Sequence, residues 1–258
     1  MDGLRCAIHQ PNFFPRLSTL AKLFTADIWI ILDDVQFARR DYQHRCHLAP
    51  VGDARLPERW LTVPVHLPSG RSTLIKDVQI AEPELTLRRV TGLLHQYYRR
   101  SPYRAAICGL MPQIAEAFTR TGKLTEVSED STRALLTAVK WPGAIYRSSD
   151  LPARPGRSER LADLTLAVGA ATYLCGTGGT RYLDPQPFTA HGLTVEWFTP
   201  PQDPAHGKVE SIRHVTALTD LAAVGPIALA EQLREHARRA ELAVKPQYDK
   251  GSPCPALP

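Results

Sequence analysis

A run of consecutive apolar residues, Ile28 to Leu32, constrains the fold of this chain more than any other segment. It has the length of a buried strand, and continuous apolarity without alternation is typical of a strand covered on both faces. A second apolar segment, Leu4 to Ile8, precedes it, and apolar residues recur at helical spacing over residues 16–25 between the two. Strand, helix and strand within about 30 residues predict a βαβ unit with a parallel pair.

The remaining periodicity predicts an α/β fold. Further strands are predicted at residues 60–65, 74–80, 143–147, 172–175 and 192–198. Helices are predicted at residues 84–100, 102–120, 124–140, 157–168 and 226–242. We expect a mainly parallel sheet flanked by helices, with a helical insertion near residues 84–141 in the middle of the chain. Residues 1–244 then form a single α/β domain, and residues 245–258, with four prolines, form a loose C-terminal tail.

The composition is that of an ordinary globular protein and excludes disorder throughout the chain. Hydrophobic residues make up 43% and charged residues 22% of 258 residues, which is enough to bury a sizeable core. No apolar run approaches the ~20 residues of a membrane span. The first residues reach His9 before the apolar stretch of a signal peptide. We therefore expect a cytoplasmic protein without a membrane partner.

The formal net charge of +5 is mild, and the arginines are scattered in short pairs along the chain. A nucleic-acid-binding protein usually clusters such charge with exposed aromatic residues, so we expect no nucleic-acid partner. An acidic protein partner and an anionic small ligand suit this charge equally well.

The five cysteines, an odd number at wide spacing, include no Cys-x-x-Cys pair. They are Cys6, Cys46, Cys108, Cys175 and Cys254. This pattern favours reduced thiols over a disulfide framework. His44 and His47 flank Cys46 in what could be half of a zinc site, but no second pair supports it, and we predict no metal.

Three polar clusters follow predicted strands. His9 ends the first, Asp33 and Asp34 end the second, and Cys175 ends a later one. In open parallel sheets, ligands bind outside the carboxyl ends of the strands. We therefore expect the three clusters to share one site.

His9 stands on a turn that Pro11 makes rigid, together with Gln10 and Asn12. A histidine fixed at a strand end suits general acid–base catalysis, because its pKa lies near neutrality. We predict that His9 is catalytic and that Gln10 and Asn12 bind substrate. The alternative is a histidine that only ties down its turn.

Asp33 and Asp34 are the next predicted catalytic residues. Adjacent residues on a strand point to opposite faces, so both serve one site only if the strand has ended. One is expected to orient His9 or to bind a ligand amine, and the other to cap the following turn. A metal pair at these carboxylates is a less favoured alternative.

A polar stretch follows the two aspartates. We predict substrate-binding roles for Gln36, Arg40, Gln43 and Arg45, since the guanidinium fork of arginine recognises carboxylate and phosphate. The alternative for most of these residues is a solvated surface segment.

Cys175 opens a glycine-rich segment that contains Gly176, Gly178 and Gly179. In one interpretation the glycines let backbone N–H groups approach an anion such as phosphate. In another, Cys175 is a nucleophile and these N–H groups hold the oxyanion. In a third, Cys175 is a small buried hydrophobic residue. The spacing fits neither a Walker loop nor a dinucleotide-binding loop.

Several segments of the chain form a recognisable set, namely Ile8-His9-Gln10-Pro11-Asn12-Phe13, Leu32-Asp33-Asp34-Val35-Gln36-Phe37, Trp60-Leu61-Thr62-Val63-Pro64-Val65, Ser148-Ser149, Glu159-Arg160-Leu161, Gly169-Ala170, Tyr173-Leu174-Cys175-Gly176 and Tyr182-Leu183-Asp184. Together they resemble the WbqC-like protein family. They run in the family's order across nearly the whole chain, and the first two are the most specific. The resemblance implies an α/β protein of bacterial biosynthetic loci, for surface polysaccharides and natural products, and adds Ser148 to the substrate-binding residues.

The resemblance also suggests amide-forming or acyl-transfer chemistry. The chain departs from the family's pattern where it has Cys175 in place of a frequent serine and His44 in place of a usual asparagine. It departs again at residues 200–206. These departures bear on the identity of the substrate, and Cys175 could mark a subgroup with thiol chemistry.

Our leading hypothesis is an acyltransferase without a cofactor. Cys175 takes an acyl or aminoacyl group from a thioester donor, with an acyl or peptidyl carrier protein as one candidate donor, and passes it to an amine or amino acid acceptor. His9 activates the thiol and then the amine, the Gly176–Gly179 amides hold the oxyanion, and Arg40 or Arg45 binds an acceptor carboxylate. The first alternative is an enzyme acting on a sugar nucleotide or phosphorylated metabolite, with phosphate at the glycine loop and a passive Cys175. The second alternative is a non-catalytic binding protein of a biosynthetic operon.

Overall fold

The computed structural model describes residues 3–201 and 214–244, apart from the side chains of Thr180 and of residues 241–244. The strands are β1 (Arg5–His9), β2 (Ile28–Ile31), β3 (Arg45–Leu48), β4 (Arg59–Thr62), β5 (Val65–His66), β6 (Gln79–Ile80), β7 (Ala144–Arg147), β8 (Thr172–Cys175) and β9 (Thr194–Trp197). The helices are α1 (Leu17–Thr25), α2 (Pro83–Tyr98), α3 (Arg104–Arg120), α4 (Leu124–Ala138), α5 (Ser158–Ala167), α6 (Gln186–Ala190) and α7 (Ala217–Val244). The predicted tail at residues 245–258 lies outside the described residues.

A parallel sheet of five strands, in the order β7-β2-β1-β8-β9, forms the centre of the molecule. The strand–helix–strand unit predicted at the N-terminus is confirmed: β1 and β2 pair in parallel from Cys6 opposite Ile28 to His9 opposite Ile31. With helices on the sheet, the α/β class predicted from the sequence is confirmed.

The two faces of the sheet contribute to two apolar clusters. Ala7, Trp29 and Ile31 point to the larger cluster, which α1 to α4 and α7 complete. Their neighbours on the same strands, such as Ile8 and Ile30, point to the smaller cluster under α5 and α6. Burial on both faces is the reason that β2 is apolar without alternation.

The predicted helical insertion consists of α2, α3 and α4, and it connects the β3–β6 region to β7. The strand predicted over residues 60–65 is divided into β4 and β5, because Pro64 has no N–H group for a continuous ladder. Most of the strand predicted over residues 74–80 is wrong: a 3-10 turn covers Ile75–Asp77, and only Gln79–Ile80 pairs. Both segments belong to small antiparallel pairs, β3–β4 and β5–β6, outside the main sheet.

The last helix begins at Ala217, earlier than the predicted residue 226. Gly225 interrupts it with a φ of 81°, and Pro226 follows. The predicted start therefore coincides with the beginning of the second of two helical segments. Pro226 stands at the first position of that segment, where proline is favoured. No helix of the described residues is long and apolar enough to cross a membrane.

Candidate functional site

A cleft of about 980 Å³ opens at the carboxyl ends of β1 and β8. From β1 the chain adds β2 and β7 on one side, whereas β8 and β9 lie on the other, so β1 and β8 flank a topological switch point. Their ladder contains only the pairs Arg5–Thr172 and Cys6–Tyr173. Beyond these two pairs, the carboxyl ends of β1 and β8 are not paired with each other, which leaves a crevice between them. A crevice of this kind is the usual ligand site of an open parallel sheet.

The cleft is lined by residues from several parts of the chain. They include His9, Gln10 and Asn12 after β1, Arg16 and Lys22 of the α1 region, Arg157 and Arg160 near the start of α5, and Gly176 to Gly179 after β8. The structure thus brings the predicted His9 turn and the predicted glycine loop to one cleft.

Buried hydroxyl groups of α4 hold the His9 turn in place. The Thr132 hydroxyl donates a hydrogen bond of 2.9 Å to the carbonyl oxygen of Asn12. The Ser131 hydroxyl accepts one of 2.9 Å from the N–H of Phe14, whose φ of 46° is left-handed. Gln43 is fully buried and donates from Nε2 to Oε1 of Gln10 at 2.7 Å. The helical insertion and the loop before β3 therefore fix the floor of the cleft.

His9 is a half-buried, neutral side chain in this setting. Its Nδ1 lies 2.7 Å from the carbonyl oxygen of Gln10. Because a carbonyl oxygen only accepts, Nδ1 carries the proton and Nε2 keeps its lone pair. Burial, followed by the positive charge of Lys22, lowers the pKa of His9 to about 3. A neutral imidazole with a free Nε2 can accept a proton or a hydrogen bond from a ligand.

Lys22 is the principal residue that the sequence interpretation missed. It is 5% exposed on α1 and lines the cleft. Its Nζ donates to the carbonyl oxygen of Ile8 at 3.1 Å, and no carboxylate of the described residues pairs with it. Burial lowers its pKa to about 8, while the neighbouring Cys175 acts in the opposite direction. Lys22 is the only charged residue of the nine in α1, and that isolation was the available signal.

Lys22 lies directly beneath the glycine loop. A Cβ atom added to Gly176 would stand 3.5 Å from Lys22 Nζ. Glycine at this position therefore keeps the space above the ammonium group open to the cleft. Buried charges are normally paired, so a cleft-lining ammonium without a carboxylate partner among the described residues is suited to bind an anion.

Cys175 lines the cleft but is only 1% exposed. Its thiol packs under Gly179, where an added Cβ atom would lie 2.1 Å from Sγ. Burial raises the pKa of the thiol, with partial opposition from a hydrogen bond with Tyr173 and the charge of Lys22. No hydrogen bond of the described residues joins the thiol to His9, which contacts Gln10 instead.

The expectation that Asp33 or Asp34 orients His9 is wrong. Asp33 is buried and accepts hydrogen bonds of 3.1 Å from the Ser149 N–H and 2.8 Å from the Ser149 hydroxyl. Asp34 pairs with Arg160 and with the Ser148 hydroxyl. Ser148 is itself buried, so these side chains join the ends of β2 and β7, and Asp34 reaches the cleft through Arg160.

The predicted substrate-binding residues of the polar stretch lie outside the cleft lining. Gln36 donates to the carbonyl oxygen of Arg71 at 2.5 Å, and Arg40 is exposed. The guanidinium of Arg45 stacks on Trp60 at 4.2 Å and donates to the carbonyl oxygens of Arg40 and Asp41. Arg45 therefore shapes this loop. The described residues contain no group of three or more metal-ligating His, Cys, Asp or Glu side chains.

Positive charge dominates the described lining of the cleft. Arg16, whose guanidinium lies 4.1 Å from the ring centre of Tyr42, joins Lys22, Arg157 and Arg160, whereas Asp41 is the one acidic residue among these lining residues. In a partly water-excluded cleft this imbalance attracts anions.

Comparison with known proteins gives a family and a relative. The family model of the WbqC-like protein family matches residues 10–221. An uncharacterized protein of Mycobacterium tuberculosis, Rv1507c, is 25% identical over 197 residues, which are 75% of this chain and 81% of that protein. No solved structure matches the chain. The family-model match contains every cleft residue discussed above except Ile8 and His9.

Proposed function

This chain belongs to the WbqC-like protein family, and we propose that it is an enzyme that acts on a phosphorylated small molecule. In this proposal the phosphate binds in the cleft beside both Lys22 and the Gly176–Gly179 loop, and His9 moves a proton on the substrate. The observation that carries it is the buried ammonium of Lys22, which faces the cleft without a carboxylate partner among the described residues.

Phosphate suits this arrangement better than a neutral ligand. An ammonium group is a compact point charge that suits phosphate. The Gly179 N–H already donates to the carbonyl oxygen of Gly176 at 2.9 Å, so in this proposal Gly176 and Gly178 supply the backbone N–H groups. Arg160 of α5 lines the same cleft and can bind a second oxygen, because its pairing with Asp34 fixes its position. The cleft of about 980 Å³ can accept a small metabolite together with its phosphate.

His9 supplies the proton-transfer group of the proposal. Its pKa of about 3 keeps it neutral at physiological pH. The Gln10 carbonyl fixes the Nδ1–H tautomer, so Nε2 can accept a proton from a substrate hydroxyl or amine. A bound phosphate would offset the positive charge of Lys22 and raise the basicity of the ring.

Titration calorimetry with inorganic phosphate tests the anion site. We expect Lys22→Met to weaken phosphate binding by about tenfold or more, as loss of a hydrogen bond to a charged group predicts. The matched control is Lys123→Met, since Lys123 is exposed and remote from the cleft lining. Equal affinity in the wild type and Lys22→Met would overturn the assignment.

The catalytic part of the proposal has its own test. The wild-type protein and a His9→Gln variant are incubated with a mixture of phosphorylated metabolites, and the mixture is followed by mass spectrometry. We expect the wild type to consume one phosphorylated compound and His9→Gln to leave it unchanged. Identical turnover by the two proteins would remove His9 from the reaction.

Acyl transfer through Cys175 is a second candidate function. The observation that favours it is that the thiol lines the same cleft as Lys22, whose positive charge partly opposes the rise that burial causes in the pKa of the thiol. The thiolate would attack a thioester carbonyl and expel the donor thiol, and an amine would then displace the enzyme thiol. The net charge of +5 suits an acidic carrier protein as donor.

Intact mass spectrometry distinguishes the two candidates. Acyl transfer predicts that an acyl thioester adds its acyl mass to the wild type but not to Cys175→Ala, whereas the phosphate proposal predicts no adduct.

The free thiols of Cys6, Cys46, Cys108 and Cys175 suit a reducing compartment, and we propose the cytoplasm as the location.

A further inference from the structure

Asn12 has a buried side chain for which the fold supplies no partner. It is 3% exposed and lines the cleft, yet its Oδ1 has no hydrogen-bond partner among residues 3–201 and 214–244. No hydrogen bond is described for its side-chain NH₂ group either. A buried polar atom without a partner costs free energy, and native proteins rarely retain one without a reason.

The role of Asn12 in the fold is carried by its backbone. Its carbonyl oxygen accepts hydrogen bonds from the Thr132 hydroxyl at 2.9 Å and the Ser131 hydroxyl at 3.3 Å. These bonds hold the residue in position without using the side chain. An apolar side chain would satisfy the packing equally well, so the amide is explained by a group that enters the cleft.

The chemistry of an amide restricts what that group can be. Its oxygen accepts and its nitrogen donates, so the complementary ligand group must both donate and accept. A hydroxyl group does both, and two adjacent hydroxyl groups can engage both ends of the amide. An acyl chain does neither, and a methyl ester accepts but cannot donate.

We propose that Asn12 recognises hydroxyl groups of the substrate and that the molecule bound in the cleft is a sugar phosphate. The inference rests on the proposed phosphate site at Lys22, because the two features line one cleft. Lys22 and the glycine loop then bind the phosphate, while Asn12 distinguishes a polyhydroxylated ester from other phosphates.

Calorimetry with two kinds of phosphate ester tests this assignment. Methyl phosphate carries the phosphate group without sugar hydroxyl groups. Glucose 1-phosphate, mannose 1-phosphate and ribose 5-phosphate carry a phosphate group and sugar hydroxyl groups. We expect the tightest sugar phosphate to bind the wild type at least about tenfold more tightly than methyl phosphate. Asn12→Ala should reduce that ratio to about twofold or less and leave methyl phosphate binding unchanged.

The outcomes separate this inference from the proposed function. If no ester binds, the phosphate site itself is wrong and the inference falls with it. If all esters bind the wild type equally, the phosphate site stands and the role of Asn12 is wrong. If the preference survives in Asn12→Ala, another residue reads the hydroxyl groups.

Thermal unfolding without ligand gives an independent readout. Removal of an unpartnered amide should leave the Tm of Asn12→Ala unchanged or raise it. The matched control is Gln43→Ala, which should lower the Tm because Gln43 is buried and holds Gln10. A fall in Tm for Asn12→Ala as large as that of Gln43→Ala would make Asn12 structural and overturn the proposal.

Discussion

At the scale of single residues, Lys22 stands where a positive charge is costly. Its Nζ reaches one described partner, the carbonyl oxygen of Ile8, and burial lowers its pKa to about 8. The ammonium is therefore the predominant form at neutral pH and is lost just above it. Anion binding in the cleft should depend on this titration.

The first prediction concerns the pH dependence of anion binding. Sulfate keeps its charge from pH 6 to 10, so any change in its affinity reports on the protein. We expect constant affinity below the pKa of Lys22, which is about 8 in the free protein. Above that pKa the affinity should fall by up to about tenfold per pH unit, as loss of one proton requires.

Titration calorimetry with sulfate across this range measures the effect. Lys22→Arg is the informative variant, because a guanidinium keeps its charge and should make the affinity independent of pH. A wild-type affinity that does not change up to pH 10 would show that Lys22 does not bind the anion.

The second prediction concerns His9 and stability. The pKa of His9 in the folded protein, about 3, lies below its ordinary value of 6.5. The unfolded chain therefore binds a proton between these values and the folded protein does not. The contribution of His9 to the free energy of unfolding is therefore fully present above about pH 6.5, and it is lost as the pH falls toward 3.

Chemical denaturation of the wild type and His9→Gln at pH 7 and pH 4.5 checks this prediction. We expect the free energy of unfolding to decrease less on acidification in His9→Gln than in the wild type. Burial also lowers the pKa of His44 and His236, so part of the dependence should remain in the variant. Equal losses in both proteins would contradict the low pKa of His9.

Residue types could be predicted from the sequence better than their contacts. His9 and the glycine loop were identified because they follow recognisable strands, and both line the cleft. The contacts of Asp33 with Ser149 join residues far apart in the chain, so local pattern could not reveal them. Lys22 was missed because periodicity treats a charge in a short helix as an exposed residue.

At the scale of elements, α4 connects the helical insertion to the site. It presents buried Ser128, Ser131 and Thr132 to the chain segments below it. The Ser128 hydroxyl donates to the carbonyl oxygen of Gln43 at 2.6 Å, beside the bonds to Asn12 and Phe14. Because hydrogen bonds are directional, these hydroxyl groups fix the orientation of the neighbouring backbone as well as its distance from α4.

The third prediction tests this clamp with Thr132→Val, which keeps the shape and removes the hydroxyl. We expect the free energy of unfolding to fall by about 1–2 kcal/mol, because the carbonyl oxygen of Asn12 loses its 2.9 Å donor. The Tm should fall by roughly 2–4 °C per kcal/mol in a chain of this size. Thr137→Val is the control, since Thr137 is exposed on the same helix.

Chemical denaturation measures both variants, and phosphate binding measures the effect on the site. Stability of Thr132→Val equal to that of Thr137→Val would show that the hydroxyl bond to the His9 turn is not stabilising.

The long helices of this insertion were predictable from periodicity. By contrast, β3 was not predicted, and β5 and β6 contain two residues each, too few to show a pattern of period two.

At the scale of the whole molecule, the site is the product of strand order. The sequence predicts parallel strands, but it does not state that β8 pairs with β1 on the side opposite β2. That order places residue 9 and residue 175 at adjacent strand ends although most of the chain separates them. The short β1–β8 ladder then leaves the crevice open between two parts of the sheet.

The fourth prediction follows from this geometry. A ligand bound at the switch point touches the turn after β1 and the loop after β8 together, so hydrogen exchange should slow in both. Hydrogen-exchange mass spectrometry with saturating phosphate should show protection at residues 9–19 and at residues 176–182. The helix α3, Arg104–Arg120, contributes nothing to the cleft lining and serves as the internal control. Protection of one segment alone would place the ligand on one side of the crevice, and equal protection of α3 would indicate general stabilisation in place of a site between β1 and β8.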